Sequence, residues 1–272
     1  MPKYVIGSAV MLLLLFICVL FAPYLAPYLA PFDPHAVDVA SKLMPPSQQH
    51  LLGTDQLGRD VLSRLLYGAK YSLLLAVTIS LLELSIGAVV GLVVGWYQGR
   101  LEAAFLWLAD VVSAFPSFLL SLATMGILGQ GIGNMILAIV LVEWLYYARL
   151  MVTMVKSAKA EPYVISAQTM GLSVRHILKK HILPFVYRPI VVLALMNIGN
   201  IILMISSFSF LGIGVQPNVT EWGMMLHDAR SYFRTALWLM MSPGLAILVT
   251  VLAFNSLGDY ADAKGWRKTW NG

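Results

Sequence analysis

Six long apolar stretches alternate with polar segments along the chain. A helix that crosses a membrane needs about 20 mostly apolar residues, because the hydrocarbon core of a bilayer is about 30 Å thick. Each stretch is long enough for one such helix. We therefore predict an all-α, polytopic fold of about six transmembrane helices, at about 5–26, 73–96, 104–128, 134–154, 184–208 and 238–257.

The first apolar stretch follows Lys3 and could be read as a secretory signal. A signal would end in a small-x-small cleavage site, and none is clear after Ala22, where a series of prolines begins. Proline removes a backbone donor and ends the helical pattern. Because further spans also follow, we predict an uncleaved first helix.

Composition agrees with the pattern. The chain has 272 residues, of which 59% are hydrophobic and 11% charged, and its mean hydropathy is +0.80. Soluble domains use about 45–50% apolar residues, so these values exclude a water-soluble fold. We predict a single membrane domain over residues 1–272, with a cytoplasmic segment at about 155–183.

The positive charges indicate the orientation. Lys and Arg are retained on the cytoplasmic side of membrane proteins. With the amino terminus inside, twelve of the 18 basic residues fall in cytoplasmic segments and six outside. The prediction is therefore a multi-pass membrane protein with both termini in the cytoplasm. The net charge of +5 is explained by this topology, without nucleic acid as a partner.

The second span carries glycines at every fourth position, Gly87, Gly91 and Gly95. Such a small-xxx-small repeat lets two helix backbones approach closely in lipid. The pattern favours a helix–helix contact, and a flexible gate is the alternative.

Motifs for enzyme chemistry are missing from the sequence. No Gly-Lys pair occurs, so there is no phosphate-binding loop, and H-E-x-x-H, G-x-S-x-G and Cys-x-x-Cys are absent too. The single cysteine, Cys18, lies in the first apolar stretch. We expect a transport subunit without enzymatic activity or cofactor, and any ATP would be hydrolysed by another chain.

The basic segment between spans four and five contains apolar residues spaced as in short amphipathic helices: Val164, Ala167, Leu172, Ile177 and Leu178. Gly171 is predicted to separate two such helices. They could lie on lipid headgroups or dock in a groove of a soluble partner, with Ala167 on the docking face.

Three acidic residues fall inside predicted spans: Glu83, Asp110 and Glu143. Ionisable groups in a membrane are costly and are candidates for a transport path. The alternative is an ion pair near the interface, such as Asp110 with Arg100 or Glu143 with Arg149.

A predicted external loop brings four potential metal ligands close together in sequence: Met224, Met225, His227 and Asp228. Scattered methionine more often fills gaps in packing. We therefore predict no metal site, and His227 and Asp228 remain the weaker candidates for one.

The basic segment resembles a known family. Ala167, Gly171 and the pair Leu183-Pro184 match the spacing of the E-A-A-x-x-x-G … I-x-L-P loop of ATP-binding cassette importer permeases. Ser166 stands where that family usually has Ala. Ile165 replaces its Glu, and His181 its Ile. The resemblance implies that Ser166, Ala167, Gly171, Leu183 and Pro184 belong to a loop that couples the permease to its ATPases.

A second motif is more specific. Residues 52–60, Leu-Gly-Thr-Asp-Gln-Leu-Gly-Arg-Asp, are similar to the L-G-T-D-x-x-G-R-D signature of dipeptide, oligopeptide and nickel permeases. Further resemblances follow in the family's order, at 114–116, 210–214, 221–223 and 254–259. Residues 144–149 and 222–230 are similar to the nickel and metal-chelate branch. The signature residues are Gly53, Thr54, Asp55, Gly58, Arg59 and Asp60.

The resemblance implies a type I importer architecture in the bacterial inner membrane, in which this chain is the second permease subunit. Its partners would be another permease subunit, two ATPase subunits and an extracytoplasmic binding protein, within membrane lipid. The implied cargo is nickel or a metal chelate, and di- or oligopeptides are the alternative. Two other classes stay open from the residues alone: a gradient-driven secondary transporter that uses the three acids, and a membrane scaffold.

Overall fold

The computed structural model describes residue 30, residues 32–215 and residues 219–269, with side chains up to residue 261. The helices in these ranges are α1 (Val61–Tyr97), α2 (Gly99–Ser113), α3 (Ser117–Leu128), α4 (Ile132–Lys159), α5 (Pro162–Thr169), α6 (Val174–Ile177), α7 (Leu183–Phe210), α8 (Trp222–Ala229) and α9 (Trp238–Thr269). A π-helical turn, Leu178–Ile182, joins α6 to α7.

The predicted all-α membrane fold is confirmed. In the described ranges, four helical segments are long and apolar enough to cross a membrane, or five if α2 and α3 form one bent span. They correspond to the predicted second to sixth spans. The predicted first span, 5–26, and Cys18 lie outside the described residues.

Helix α1 begins twelve residues before the predicted start of its span. Asp60 caps it, because the Asp60 carboxylate accepts a hydrogen bond from the backbone N–H of Ser63 at 2.7 Å. Such a cap satisfies one of the free donors at a helix start. Arg64 and Lys70, predicted in a polar stretch, therefore lie on the helix.

The predicted third span is not one straight helix. Helices α2 and α3 meet at an angle of 84°, and the break lies at Ala114–Pro116. Proline lacks an N–H and disfavours helical geometry in the residue before it, so Phe115 cannot continue α2 and Pro116 becomes the N-cap of α3.

The loops gather at two opposite ends of the bundle. At one end, the Gln130 side chain donates to the carbonyl of Gly212 at 3.1 Å. At the other end, Lys159 donates to the carbonyl of Trp96 at 2.7 Å. The first contact joins two loops that were predicted outside the membrane. The second joins two helix ends that were predicted inside. We call the two ends outer and inner.

The predicted glycine contact joins α1 to α4. A Cβ atom at Gly87 would lie 2.5 Å from Cβ of Tyr147, and one at Gly91 would lie 2.5 Å from the carbonyl oxygen of Ala148. Only glycine permits this approach. The helix-contact interpretation of the repeat is confirmed.

Candidate functional site

The signature segment forms a compact turn at the outer end, organised by Asp55. One carboxylate oxygen of Asp55 accepts the backbone N–H of Leu57 at 2.8 Å and that of Arg59 at 3.0 Å. Aspartate favours such turns because its side chain can bond to backbone groups two to four residues ahead.

The other oxygen of Asp55 accepts Nε of Arg59 at 2.7 Å and Nη1 of Arg64 at 2.5 Å. Both arginines also reach Asp228 on α8, at 3.5 Å from Arg59 and 3.3 Å from Arg64. We call these four residues the outer ion-pair network. It ties the signature turn and the start of α1 to α8, a helix some 160 residues further along the chain.

The remaining signature residues hold the turn. The Thr54 hydroxyl accepts the backbone N–H of Met44 at 2.8 Å and donates to the carbonyl of Ser41. Gly53 and Gly58 have φ of +75° and +77°, which a side chain rarely tolerates.

Asp60 combines its capping role with a contact to His50. The Asp60 carboxylate lies 2.9 Å from Nδ1 of His50, and both residues are buried. The signature residues thus contact one another and the start of α1.

Glu221 organises the second half of the outer end. The residue is fully buried and accepts hydrogen bonds from the backbone of Gly223 at 2.9 Å and of Met224 at 3.0 Å, and from the Ser72 hydroxyl at 3.1 Å. Burial raises the pKa of its carboxyl, and these donors oppose that rise. Glu221 is the N-cap of α8 and fixes this helix against α1.

A polar group lies among the membrane-spanning helices, near the middle of α1, α4 and α7. Glu83 is fully buried and accepts a hydrogen bond from Nδ2 of Asn197 at 3.4 Å. Glu143 is half-buried and lies one helical turn before Tyr147 on α4. Tyr147 is fully buried against α1 at Gly87, one turn after Glu83, and its hydroxyl has no hydrogen-bond partner among the described residues. We call Glu83, Glu143, Tyr147 and Asn197 the midplane cluster.

The third acidic candidate, Asp110, stands apart from this cluster. It forms a 2.7 Å ion pair with Arg149, and the side chains are 69% and 40% exposed. An ion pair, the alternative to a transport role, is therefore confirmed for Asp110. The two pairs given as examples, Asp110 with Arg100 and Glu143 with Arg149, were wrong. Asp110 and Arg100 are ten residues apart, which is about 15 Å along a helix. Glu143 and Arg149 are six residues apart, so their side chains lie on different faces of α4.

The segment between α4 and α7 contains the predicted short helices, and Gly171 separates α5 from α6 with φ +75°. Ala167, predicted on a docking face, is only 2% exposed, because it packs in a core with Val164 and Ile177. That placement was wrong. The exposed face instead carries Ile165, Met170, Leu172 and Val174. We call these four side chains the inner apolar face.

The other residues of the predicted coupling loop are exposed. The Ser166 hydroxyl donates to the carbonyl of Pro162 at 2.9 Å, so its side chain bonds within α5. Leu183 and Pro184 begin α7 directly after the π-helical turn. The N–H of Leu183 donates to the carbonyl of Leu178 in that turn, and Pro184 has no N–H to donate.

The two weaker metal candidates have partners within the chain. Nδ1 of His227 lies 2.9 Å from the carbonyl oxygen of Phe210, and Asp228 belongs to the outer ion-pair network. In the ranges that the structure describes, no three His, Cys, Asp or Glu residues form a group that could hold a metal ion.

Sequence reasoning did not predict roles for Glu221, Arg64 or Asn197. Glutamate is not among the usual N-cap residues, which are Ser, Thr, Asp and Asn, so the capping role of Glu221 had no local signal. Arg64 and Asn197 contact residues on distant helices, Asp228 and Glu83, for which a single sequence carries no signal either.

The chain is similar to known proteins over most of its length. The family model described as binding-protein-dependent transport system inner membrane component matches residues 87–265. The nickel transport system permease protein NikC of Escherichia coli K12 is 39% identical over 228 residues, which are 84% of this chain and 82% of NikC.

Two further relatives have names with other cargo. The metal-staphylopine import system permease protein CntC of Staphylococcus aureus NCTC 8325 is 39% identical over 84% of this chain and 79% of its own length. The probable D,D-dipeptide transport system permease protein DdpC of Escherichia coli K12 is 35% identical over 93% of this chain and 84% of its own length.

Proposed function

The chain belongs to the family of binding-protein-dependent transport system inner membrane components, and on that premise we propose that it forms half of a pathway for nickel or a metal chelate. It is a multi-pass permease subunit of an ATP-binding cassette importer and not itself an enzyme. Relatives named for nickel and metal–staphylopine support the cargo. A relative named for D,D-dipeptides supports peptides as the second candidate.

The partners that we propose are a second permease subunit, two ATPase subunits and an extracytoplasmic binding protein. The observation that carries the link to the ATPases is the inner apolar face. Four exposed apolar side chains, Ile165 on α5, Val174 on α6, and Met170 and Leu172 in the turn between them, are costly in water. A groove on a soluble subunit would cover them.

The same proposal sets the orientation. The ATPases are cytoplasmic, so the inner end and both termini would lie in the cytoplasm. The basic side chains around α5 and α6, including Arg175, Lys179 and Lys180, are exposed at that end, as the positive-inside rule expects.

Uptake measurements test the proposed function and its cargo. In a strain lacking its own nickel and peptide importers, this chain with its four partner proteins should support ATP-dependent uptake of radiolabelled nickel. Labelled dipeptide tests the second candidate in the same cells. The chain alone in liposomes should neither hydrolyse ATP nor transport.

Proton-driven uptake by the isolated chain would contradict the proposal, because a secondary transporter needs no second subunit. If the cells take up dipeptide but not nickel, the proposed role as an importer subunit stands, and peptides replace nickel as its proposed cargo.

The coupling role predicts the effect of Gly171→Val. Its φ of +75° costs a β-branched residue on the order of 1–2 kcal/mol, so the turn should rearrange and displace the inner apolar face. We expect normal insertion in the membrane and about tenfold weaker co-purification of the ATPases. Met170→Arg, at a side chain that is 73% exposed, should weaken co-purification without altering the turn.

Gly129→Val is the matched control. Gly129 has φ +82°, and a Cβ there would also meet open space, but it lies at the outer end. With φ +82° and ψ 176°, Gly129 has a backbone conformation that is essentially restricted to glycine. Its variant should therefore also suffer backbone strain and still bind the ATPases. If Gly171→Val and Met170→Arg both assemble and transport at normal rates, the inner apolar face lies on lipid headgroups instead.

A further inference from the structure

The midplane cluster contains two carboxylates and no basic partner. Within the described part of the chain, the salt bridges involve other acids, and neither Glu83 nor Glu143 forms one. Acidic groups inside a membrane normally pair or mark the path of a ligand. An ion pair such as the one between Asp110 and Arg149 therefore does not account for the two acidic residues of this cluster.

Glu83 also has unused hydrogen-bonding capacity. Its Oε2 accepts from Asn197 at 3.4 Å, whereas Oε1 is buried and has no hydrogen-bond partner among the described residues. A buried carboxylate oxygen without a donor is costly. A ligand that donates hydrogen bonds and carries positive charge would satisfy it.

The cluster reaches the surface of this subunit. Glu143 is half-buried, and Asn200 is exposed one helical turn from Asn197 and donates to its Oδ1 at 3.3 Å. Hydrocarbon offers these polar groups no hydrogen-bond partner. This face is therefore better suited to a water-filled pathway between two permease subunits than to lipid.

The side-chain atoms of the midplane cluster indicate which kind of ligand it binds. Carboxylate, amide and phenol oxygens are present, without imidazole or thiolate. Nickel in proteins favours nitrogen and sulfur ligands over such an oxygen set. An ammonium group has three N–H donors and one positive charge. The cluster offers acceptors of the kind it needs: Glu83 Oε1, which has no donor, the Glu143 carboxyl group, and the oxygen of Asn197 or Tyr147.

We propose that the midplane cluster binds a protonated primary amine of the cargo as it crosses the membrane. The inference rests on the proposed function and narrows its substrate class to molecules that carry an amino group. Peptides meet this requirement. A metal chelate meets it only when one of its amino groups is not bound to the metal, because a nitrogen that ligates a metal cannot also be protonated. A bare metal ion does not.

Carbodiimide labelling tests this site without knowledge of the cargo. Dicyclohexylcarbodiimide enters membranes and modifies carboxyl groups, and mass spectrometry follows the loss of the unmodified Glu83 peptide in vesicles that contain the complete importer. We expect ethylammonium to slow this loss about fivefold. Tetramethylammonium, which has the same charge and no N–H donor, should not slow it.

Two controls accompany the measurement. Asp110, already paired with Arg149, should be modified at the same rate with and without ethylammonium. Glu143→Gln should abolish the protection of Glu83, because it removes the charge of the Glu143 carboxylate that faces the amine while side-chain size is kept.

The proposal is overturned if ethylammonium gives no protection, or if nickel chloride protects Glu83 and ethylammonium does not. It is also overturned if Glu83 resists the reagent when no amine is present, since a site open to cargo must admit a molecule of similar size. None of these outcomes affects co-purification with the ATPases, so the proposed function can stand when this inference fails.

Discussion

Asp55→Asn should destabilise the folded chain by about 3–5 kcal/mol, the cost of breaking a buried ion pair from one side. The amide keeps the size of the side chain and an oxygen for the turn. It removes the charge that faces Arg59 and Arg64 at 2.7 and 2.5 Å. Arg64, with a side chain only 3% exposed, would keep just its 3.3 Å contact to Asp228. The midpoint of thermal unfolding in detergent measures the loss.

Asp110→Asn is the control for this change. It also removes an aspartate charge from an ion pair, but that pair is largely exposed, and such pairs contribute about 0–1 kcal/mol. We expect little change in its unfolding midpoint. Equal shifts in the two variants would contradict the structural role of the outer ion-pair network.

Gly91→Ala should also destabilise the chain strongly, although it adds one methyl group. The new Cβ would lie 2.5 Å from the carbonyl oxygen of Ala148 and 2.6 Å from Cβ of Met151. Neither atom is the end of a flexible side chain, so α1 and α4 must separate. Overpacking typically costs about 1–3 kcal/mol, and the unfolding midpoint should fall accordingly.

Gly126→Ala tests the same substitution where space is free. Gly126 lies within α3, and a Cβ there would meet nothing within 4 Å. Alanine is a better helix former than glycine by about 0.8–1 kcal/mol, so this variant should be neutral or slightly stabilised. A stable Gly91→Ala protein would show that the α1–α4 contact is looser than the structure indicates.

Hydropathy predicted the positions of the long helices because membrane-spanning segments must be apolar over their whole length. It could not predict that α1 starts at Val61, since Arg64 is charged and only its ion pairs make burial acceptable. The bend before Pro116 was open to prediction, because proline and its preceding residue both oppose a continuous helix.

For the candidate sites, the sequence indicated which residues matter but not which residues they contact or whether their side chains are buried. Asp55 and Arg59 stood out through the signature, but Asp228, which completes their network, was considered only as a metal candidate. Ala167 was placed on the wrong face because α5 has only eight residues. Over such a length, apolar spacing does not distinguish the side that faces the chain's own core from the exposed side.

Helix α1 has 37 residues, which corresponds to about 55 Å at 1.5 Å per residue. The glycine contact with α4 lies in its inner half, and the outer ion-pair network holds its first turn. The helix is therefore held near both ends. A tilt of 10° about Gly91 would move Asp60, about 46 Å away along the axis, by roughly 8 Å. Because Arg64 is tied to Asp228, such a tilt requires α8 to move with the start of α1, so the outer end would move as one unit.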